Sequence, residues 1–466
     1  MKIGIPLRAV RFKSRTANQK QWAGRPLPWY GWVALLSLVA GEVGLFLGFL
    51  AVQILFYCIA WWSYIVLADA CVWKRRGHSL LRDQPWEFLV LAFWSVAIWN
   101  LFELFNFRLQ NWFYINVPTE FLFGAIFTFF AYATVVPGLF ETYDLLRAYG
   151  VAEDLRVRPW RIRRSGLTLS VAVGLAMLIS PLLWPWYAFS LVWGFLIFLG
   201  DPLSYRIEPT RGKSLLGHFE RGDPRPFIRL LLAGLVCGGL WEFWNFWAYT
   251  KWIYTVPLFE DLKWFEMPPL GFLGFPPFAL ECYVLINLLN WFRRGRGWEG
   301  PGQTGPGAPI GLAVTAVVLA CLFNVAVYSG IDRLTVQSYS PTLAEMEGVS
   351  ADAVGPLAGI GVLSPRALLQ ETSTPERIAA LSRNSGVSGD ELLMLRAAAR
   401  LVDLKGLGAP HYNELRRLGI GRVEELAKQD PGNLATRWRS AADRKPPTLA
   451  QVTVWVRAAR QQENGQ

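Results

Sequence analysis

Seven long apolar runs constrain what this chain can fold into: Trp32–Leu67, Phe88–Phe105, Phe121–Leu146, Leu167–Leu199, Leu230–Trp247, Leu270–Leu289 and Pro309–Tyr328. A helix needs ~20 mostly apolar residues to cross the hydrocarbon layer of a bilayer. In that layer the backbone must satisfy its own polar groups, which leaves helices or closed barrels as the spanning structures. The first and fourth runs are long enough for two crossings each, with turns near Gly48–Gln53 and Ser180–Trp186, so the sequence predicts nine spans. At 53% hydrophobic and 17% charged residues, the composition excludes an ordinary soluble domain.

The net charge of +11 is unevenly placed. Residues 1–28 carry Lys2, Arg8, Arg11, Lys13, Arg15, Lys20 and Arg25 with no acid. Residues 147–164 hold six arginines against Glu153 and Asp154, and Arg293, Arg294 and Arg296 follow the eighth expected span. Between them, residues 249–268 set Lys251 and Lys263 against Glu260, Asp261 and Glu266. This is the positive-inside alternation, which places the N-terminus in the cytoplasm of a bacterial inner membrane. The basic excess therefore points to the lipid bilayer as partner and away from nucleic acid. No small-residue cleavage motif follows the first run, so it is expected to stay as an anchor. Cys58, Cys71, Cys237, Cys282 and Cys321 form no Cys-x-x-Cys pair, which suggests neither a disulfide framework nor a thiolate metal site.

The chain also repeats itself. Glu103-Leu-Phe-Asn106 recurs as Glu242-Phe-Trp-Asn245, and Trp112-Phe-Tyr114 as Trp252-Ile-Tyr254. Val117-Pro118 recurs as Val256-Pro257, Pro137…Glu141-Thr-Tyr143 as Pro277…Glu281-Cys-Tyr283, and Gly77-His78 as Gly217-His218. The offsets stay at 139 or 140. Chance matches between apolar runs would align Leu and Phe, not Trp, Tyr, Pro, Asn, His and two Glu in one order. Each copy holds an even number of crossings, which makes a parallel repeat with its pseudo-twofold axis along the membrane normal.

The acids inside the spans are the candidate site: Glu103 and Glu141 in the first copy, Glu242 and Glu281 in the second, with Asn106 and Asn245 one turn after the first acid of each pair. Positions i and i+3 share a helix face. Pro137 and Pro277, four residues before Glu141 and Glu281, free a carbonyl one turn earlier. An acid at this depth is costly and usually faces the bundle interior. Its bland role is a helix clamp onto an asparagine. Its sharper role is acid–base chemistry, with Glu242 and Glu281 as acid/base and Asn245 orienting. Glu42 has no counterpart and reads as a peripheral clamp. His78 and His218 could ligate a metal with Asp69 and Asp201, but headgroup-level histidines are the simpler reading; no metal site and no particular cofactor is indicated. Trp112, Tyr114, Trp252, Tyr254, Trp264 and Phe265 read first as an interfacial belt and second as a ligand lining.

Residues 293–308 form a Gly/Pro-rich connector, after which the ninth span leads to a tail of soluble composition. Gly348, Leu357, Gly361 and Leu368 recur as Gly406, Leu415, Gly419 and Leu426 at an offset of 58. Leu404–Ile420 resembles a helix–hairpin–helix motif, and the stretch from about Ala379 to Ala459 resembles a bacterial helix–hairpin–helix family of unassigned function. The first copy departs from it, with Ser350 where the second has Gly408. The resemblance implies that Gly406 and Gly408 could offer N–H groups to a phosphate. Against this, residues 331–466 carry 17 basic and 15 acidic residues, where a nucleic-acid surface would be basic. Nine crossings also put the tail outside the cytoplasm, where a protein partner is the better expectation.

The sequence thus predicts an all-α fold. It has a basic leader (1–28), two parallel four-helix repeats (29–150 and 151–292), a linker (293–308), a ninth span (309–330) and a tandem helix–hairpin–helix domain (345–466). The leading function is an enzyme acting on a lipid or isoprenoid. The alternatives are a proton-coupled transporter and a scaffold that makes protein contacts through its tail.

Overall fold

The computed structural model describes residues 25–256, 262–299, 307–442 and 446–464. The leader up to residue 24, Pro257 with Glu260 and Asp261, and most of the Gly/Pro connector lie outside these. Among the described residues, nine helices are long and apolar enough to cross a membrane, as in a multi-pass membrane protein. They are Trp29–Phe46, Leu50–Arg76, Pro85–Leu109, Phe121–Ala148, Arg164–Leu183, Pro185–Arg206, Arg225–Trp247, Pro269–Arg293 and Ile310–Leu334, called spans one to nine below.

Local chemistry sets their ends. Span one stops at Leu47 and turns through Gly48, whose φ of 80° suits glycine. Spans five and six part at Trp184, beside Pro185. Span four breaks at Ala133–Thr134, four and three residues before Pro137. Ser95 of span three fills that break: its hydroxyl donates to the Tyr132 carbonyl at 2.6 Å and accepts from the Val136 N–H at 3.0 Å. Span eight changes from a 3₁₀ turn to α-helix between Gly274 and Phe275, just ahead of Pro276 and Pro277.

Aromatic side chains bind the halves together. Trp61 of span two meets Trp241 and Trp244 of span seven at 5.2 and 5.1 Å between ring centres. Phe102 of span three meets Phe278 of span eight at 5.1 Å. Thr142 of span four lies 3.2 Å from the Cys237 Sγ of span seven. Glu87, buried at the start of span three, pairs with Arg293 and, at 3.0 Å, with Arg296, both near the end of span eight.

The all-α expectation fails in one place. The segments following spans three and seven pair as antiparallel strands, β1 (Trp112–Ile115) and β2 (Lys251–Tyr254). Their register sets Trp112 opposite Tyr254, Phe113 opposite Ile253 and Tyr114 opposite Trp252. Residues 335–340 add a parallel edge, with the Tyr114 N–H donating to the Thr335 carbonyl at 2.7 Å and the Gln337 N–H to the Tyr114 carbonyl at 2.8 Å.

Side chains alternate across a strand, and this small sheet separates two environments. Phe113, Ile115 and Ile253 join the apolar core of the tail. The tail is a set of short helices, several begun by a side-chain cap: Ser350, Ser364, Thr374, Ser388 and Asp430 each accept from an N–H three residues on. Between Leu404 and Gly408 its chain turns through positive φ at Lys405, Gly406 and Gly408. A side chain at Gly406 would strike Ile115, so this turn lies directly on the sheet.

Candidate functional site

On the other face of the sheet lies a cavity of about 600 Å³. Trp99, Trp112, Tyr114 and Tyr132 wall it from the first half; Trp241, Trp252, Tyr254 and Phe278 wall it from the second. Its size suits a drug-sized or lipid-like molecule, and its surface is aromatic with few polar groups.

The wall is held from behind by glutamates. Glu103 Oε1 accepts from four side chains of the cavity wall: Tyr114 Oη at 2.5 Å, Trp99 Nε1 at 3.0 Å, Trp112 Nε1 at 3.1 Å and Tyr132 Oη at 3.2 Å. Tyr132 Oη also lies 3.0 Å from Tyr114 Oη. In the second half Glu242 Oε1 accepts from Tyr254 Oη at 2.9 Å. Both glutamates are fully buried, and neither belongs to the cavity lining. Burial, reinforced by the neighbouring carboxyl group, holds the Tyr114 and Tyr254 hydroxyls well above their usual range, so both remain donors.

The asparagines do different work from that expected of a shared Glu/Asn face. Asn106 Oδ1 accepts from the Asn111 and Trp112 N–H groups at 2.9 and 3.3 Å, while its Nδ2 donates to the Trp112 carbonyl at 2.9 Å. Asn245 Oδ1 accepts from the Trp252 N–H at 3.0 Å and its Nδ2 donates to the Trp252 carbonyl at 2.9 Å. Each asparagine fixes the start of a strand. The tyrosine two residues further along each strand then falls on the cavity face.

The remaining expected site residues lie elsewhere. Glu281 Oε1 accepts from the Leu196 N–H at 2.9 Å. Glu141 is buried with no hydrogen-bond partner on either oxygen among the described residues. Glu42 accepts from Trp244 Nε1 at 3.0 Å. Asp69 accepts from Tyr30, Ser79 and the Leu81 N–H, and Asp201 from the Leu215 and Leu216 N–H groups, so both tie down the next short helix instead of reaching a histidine. His218 Nε2 lies 3.2 Å from Tyr283 Oη; burial, with Arg221 nearby, lowers the imidazole to about 4. Of the six aromatics read first as a belt, Trp112, Tyr114, Trp252 and Tyr254 line the cavity, whereas Trp264 and Phe265 are exposed.

Two features escaped the sequence. Trp99 and Tyr132 complete the Glu103 cluster. At the sheet end of the bundle, Lys251 Nζ and Lys405 Nζ both bond Glu266 Oε1, at 2.8 and 2.5 Å. Burial opposes the Glu266 charge, but the two ammonium groups outweigh it and hold the carboxyl below its ordinary range.

Residues 347–462 match a family described as a domain of unknown function (DUF4332), which covers the tail and none of the spans. No curated protein and no solved structure matches the chain.

Proposed function

We propose that this chain is a duplicated inner-membrane protein that holds a lipid or isoprenoid in the aromatic cavity and performs acid–base chemistry on it. One observation carries the reading: Tyr114 and Tyr254 both line the cavity, and each donates to a buried glutamate, Glu103 and Glu242. In this reading the tyrosines meet the ligand. Glu103 and Glu242 act through them as proton acceptors, Asn106 and Asn245 position the strands, and Glu141 and Glu281 belong to helix packing.

The duplication is supported by the sheet. Phe113 pairs with Ile253, its own equivalent at an offset of 140, and the flanking residues exchange places about that pair. Antiparallel pairing of equivalent residues is what a twofold axis through the sheet requires. The helix–hairpin–helix reading of the tail gains support from the positive φ at Gly406 and Gly408. That turn packs on Ile115 and Ser338, which favours a protein contact over a phosphate as its use.

The test is to purify the full chain, identify the co-extracted lipid by mass spectrometry, and incubate an isotope-labelled sample of it with fresh protein. Conversion by the wild type, with Tyr254→Phe retaining the lipid but losing roughly 10²–10⁴-fold in rate, is the expected result. Bound lipid returned unchanged would refute the enzymatic part. Uptake into vesicles that follows a proton gradient would favour the transporter instead.

A further inference from the structure

The donors that hold the cavity wall are turned away from the space they enclose. Tyr114, Trp99, Trp112 and Tyr132 point theirs at Glu103 Oε1, and Tyr254 points its own at Glu242 Oε1. Thr250, also in the lining, donates outward to the Asn116 carbonyl at 2.8 Å. A tyrosine oxygen that gives its proton outward keeps its lone pairs. The rings are tilted against one another, by 38° between Trp99 and Trp112 and by 83° between Trp252 and Tyr254, so ring faces as well as edges border the cavity. A ring face is the negative end of the aromatic quadrupole and attracts a cation.

The charged groups have the same sign. Glu103 and Glu242 stand buried behind the rings. Asp332 belongs to the lining; its Oδ1 accepts from Tyr339 Oη at 2.6 Å, and its Oδ2 has no partner among the described residues. Lys251 is the one base in the lining among the described residues, and it is turned to the other face of the sheet. It pairs with Ile115, whose side chain lies in the core of the tail, and its ammonium group bonds Glu266 and the Phe246 carbonyl.

We infer that the ligand is an amphiphile with an ammonium head, which the aromatic rings receive as a cation while the rest of the apolar wall takes its chain. The inference rests on the lipid-binding reading above and adds to it the charge of the head.

Native mass spectrometry of the full chain in a neutral detergent tests it, with dodecyltrimethylammonium, dodecanol and dodecyl phosphate as probes of one chain length. The ammonium probe is expected to bind at least roughly tenfold more tightly than the phosphate. Trp252 is the residue to change, because its Nε1 bonds nothing among the described residues and its ring only packs, edge-on to Tyr57 at 5.5 Å. Trp252→Leu lowers the advantage of the ammonium probe over dodecanol by roughly threefold or more, and Trp252→Phe, which keeps a ring, lowers it less. Dodecanol binding retained in both variants shows that the cavity still forms; if Trp252→Leu loses it, Trp252→Phe and the wild-type comparison decide. Equal binding of the ammonium and phosphate probes by the wild type, or an advantage unchanged by replacing Trp252, overturns the inference and leaves the lipid-binding reading standing. Binding of none of the three overturns both. Tetramethylammonium alone is the last arm. Failure to compete at millimolar concentration is expected, and competition as effective as that of dodecyltrimethylammonium would make a free organic cation the ligand, refuting the amphiphile.

Discussion

Replacing Glu103 by Gln is the most informative single change in the bundle. The carboxyl faces four donors, from Tyr114, Trp99, Trp112 and Tyr132, all on one oxygen. Hydrogen bonds to charged groups contribute ~1.5–3 kcal/mol and neutral ones ~0.5–1.5, so weakening each costs about 1 kcal/mol. Four such losses, reduced because neighbouring terms are not additive, come to about 2–4 kcal/mol. Glu242→Gln weakens one bond, from Tyr254, and costs about 1 kcal/mol by the same reasoning. In both variants the new amide group sits where Glu103 Oε2 or Glu242 Oε2 has no partner among the described residues. That penalty is common to the two and cancels in the comparison. Thermal unfolding of the purified full chain, followed by tryptophan fluorescence, should therefore place Glu103→Gln several degrees below Glu242→Gln. Adding Tyr114→Phe should cost less in the Glu103→Gln background than in the wild type. Equal midpoints for the two Gln variants, or strictly additive losses with Tyr114→Phe, would refute the cluster as the source of the difference.

Gly406→Ala should loosen the tail, because the residue sits at φ 65° against Ile115; amide exchange at Tyr114 and Gln337 should accelerate, while Gly421→Ala, which meets only the Glu425 carboxylate at 4.0 Å, leaves it unchanged. Burial raises the carboxyl of Asp403 from 3.8 to about 6. The folded state therefore binds more protons across that window, so stability falls as pH rises through it and the cost is complete above it. Asp403→Asn should accordingly melt above the wild type at neutral pH, by about 1–2 kcal/mol after allowance for partial exposure, and match it near the lower end of the window; a pH-independent difference would contradict this. Reporter fusions after Arg164 and Arg294 should share one side of the membrane, with fusions after Lys263 and Gln466 on the other; a Gln466 signal on the Arg164 side would overturn the nine-span topology.

The spans were legible because length and apolarity are local properties, and the turns at Gly48 and Trp184 fall within the segments expected of them. The sheet was not legible. Its strands are four residues each and pair across some 140 positions, so no local pattern announces them, and tryptophan and tyrosine at a membrane interface have a sufficient default explanation. The Glu/Asn spacing placed Glu and Asn on one helix face, but it did not show that their side chains reach different partners. Glu103 turns to the cavity wall, whereas Asn106, one turn on, reaches past the helix end to the strand backbone. Trp99 and Tyr132 were invisible to the repeat because their counterparts at offsets of 139 and 140 are Gly238 and Phe272. The Lys251–Glu266–Lys405 cluster joins a loop to the tail, a contact set only by tertiary structure.

Those two replacements make the copies unequal in kind. Gly238 has no indole to offer, and a Cβ there would strike the Phe275 ring, so a tryptophan cannot be accommodated. Phe272 lacks the hydroxyl that Tyr132 supplies, and Trp252 Nε1, the counterpart of Trp112 Nε1, has no partner among the described residues. Among the described residues Glu242 has Tyr254 as its one hydrogen-bond donor, while Glu103 is enclosed by four. An acceptor already saturated by donors is poorly suited to taking another proton, since each bond must weaken when it does. An acceptor with a single tyrosine can exchange a proton through that tyrosine at lower cost. Within the proposed acid–base reading, the donor count assigns the larger share of wall support to Glu103 and the larger share of proton transfer to Glu242. Tyr114→Phe should lower the melting temperature more than Tyr254→Phe, and Tyr254→Phe should lower the turnover of the bound lipid more than Tyr114→Phe. Both orders follow from the same donor count, so a variant pair in which one residue dominates both measurements would refute the division.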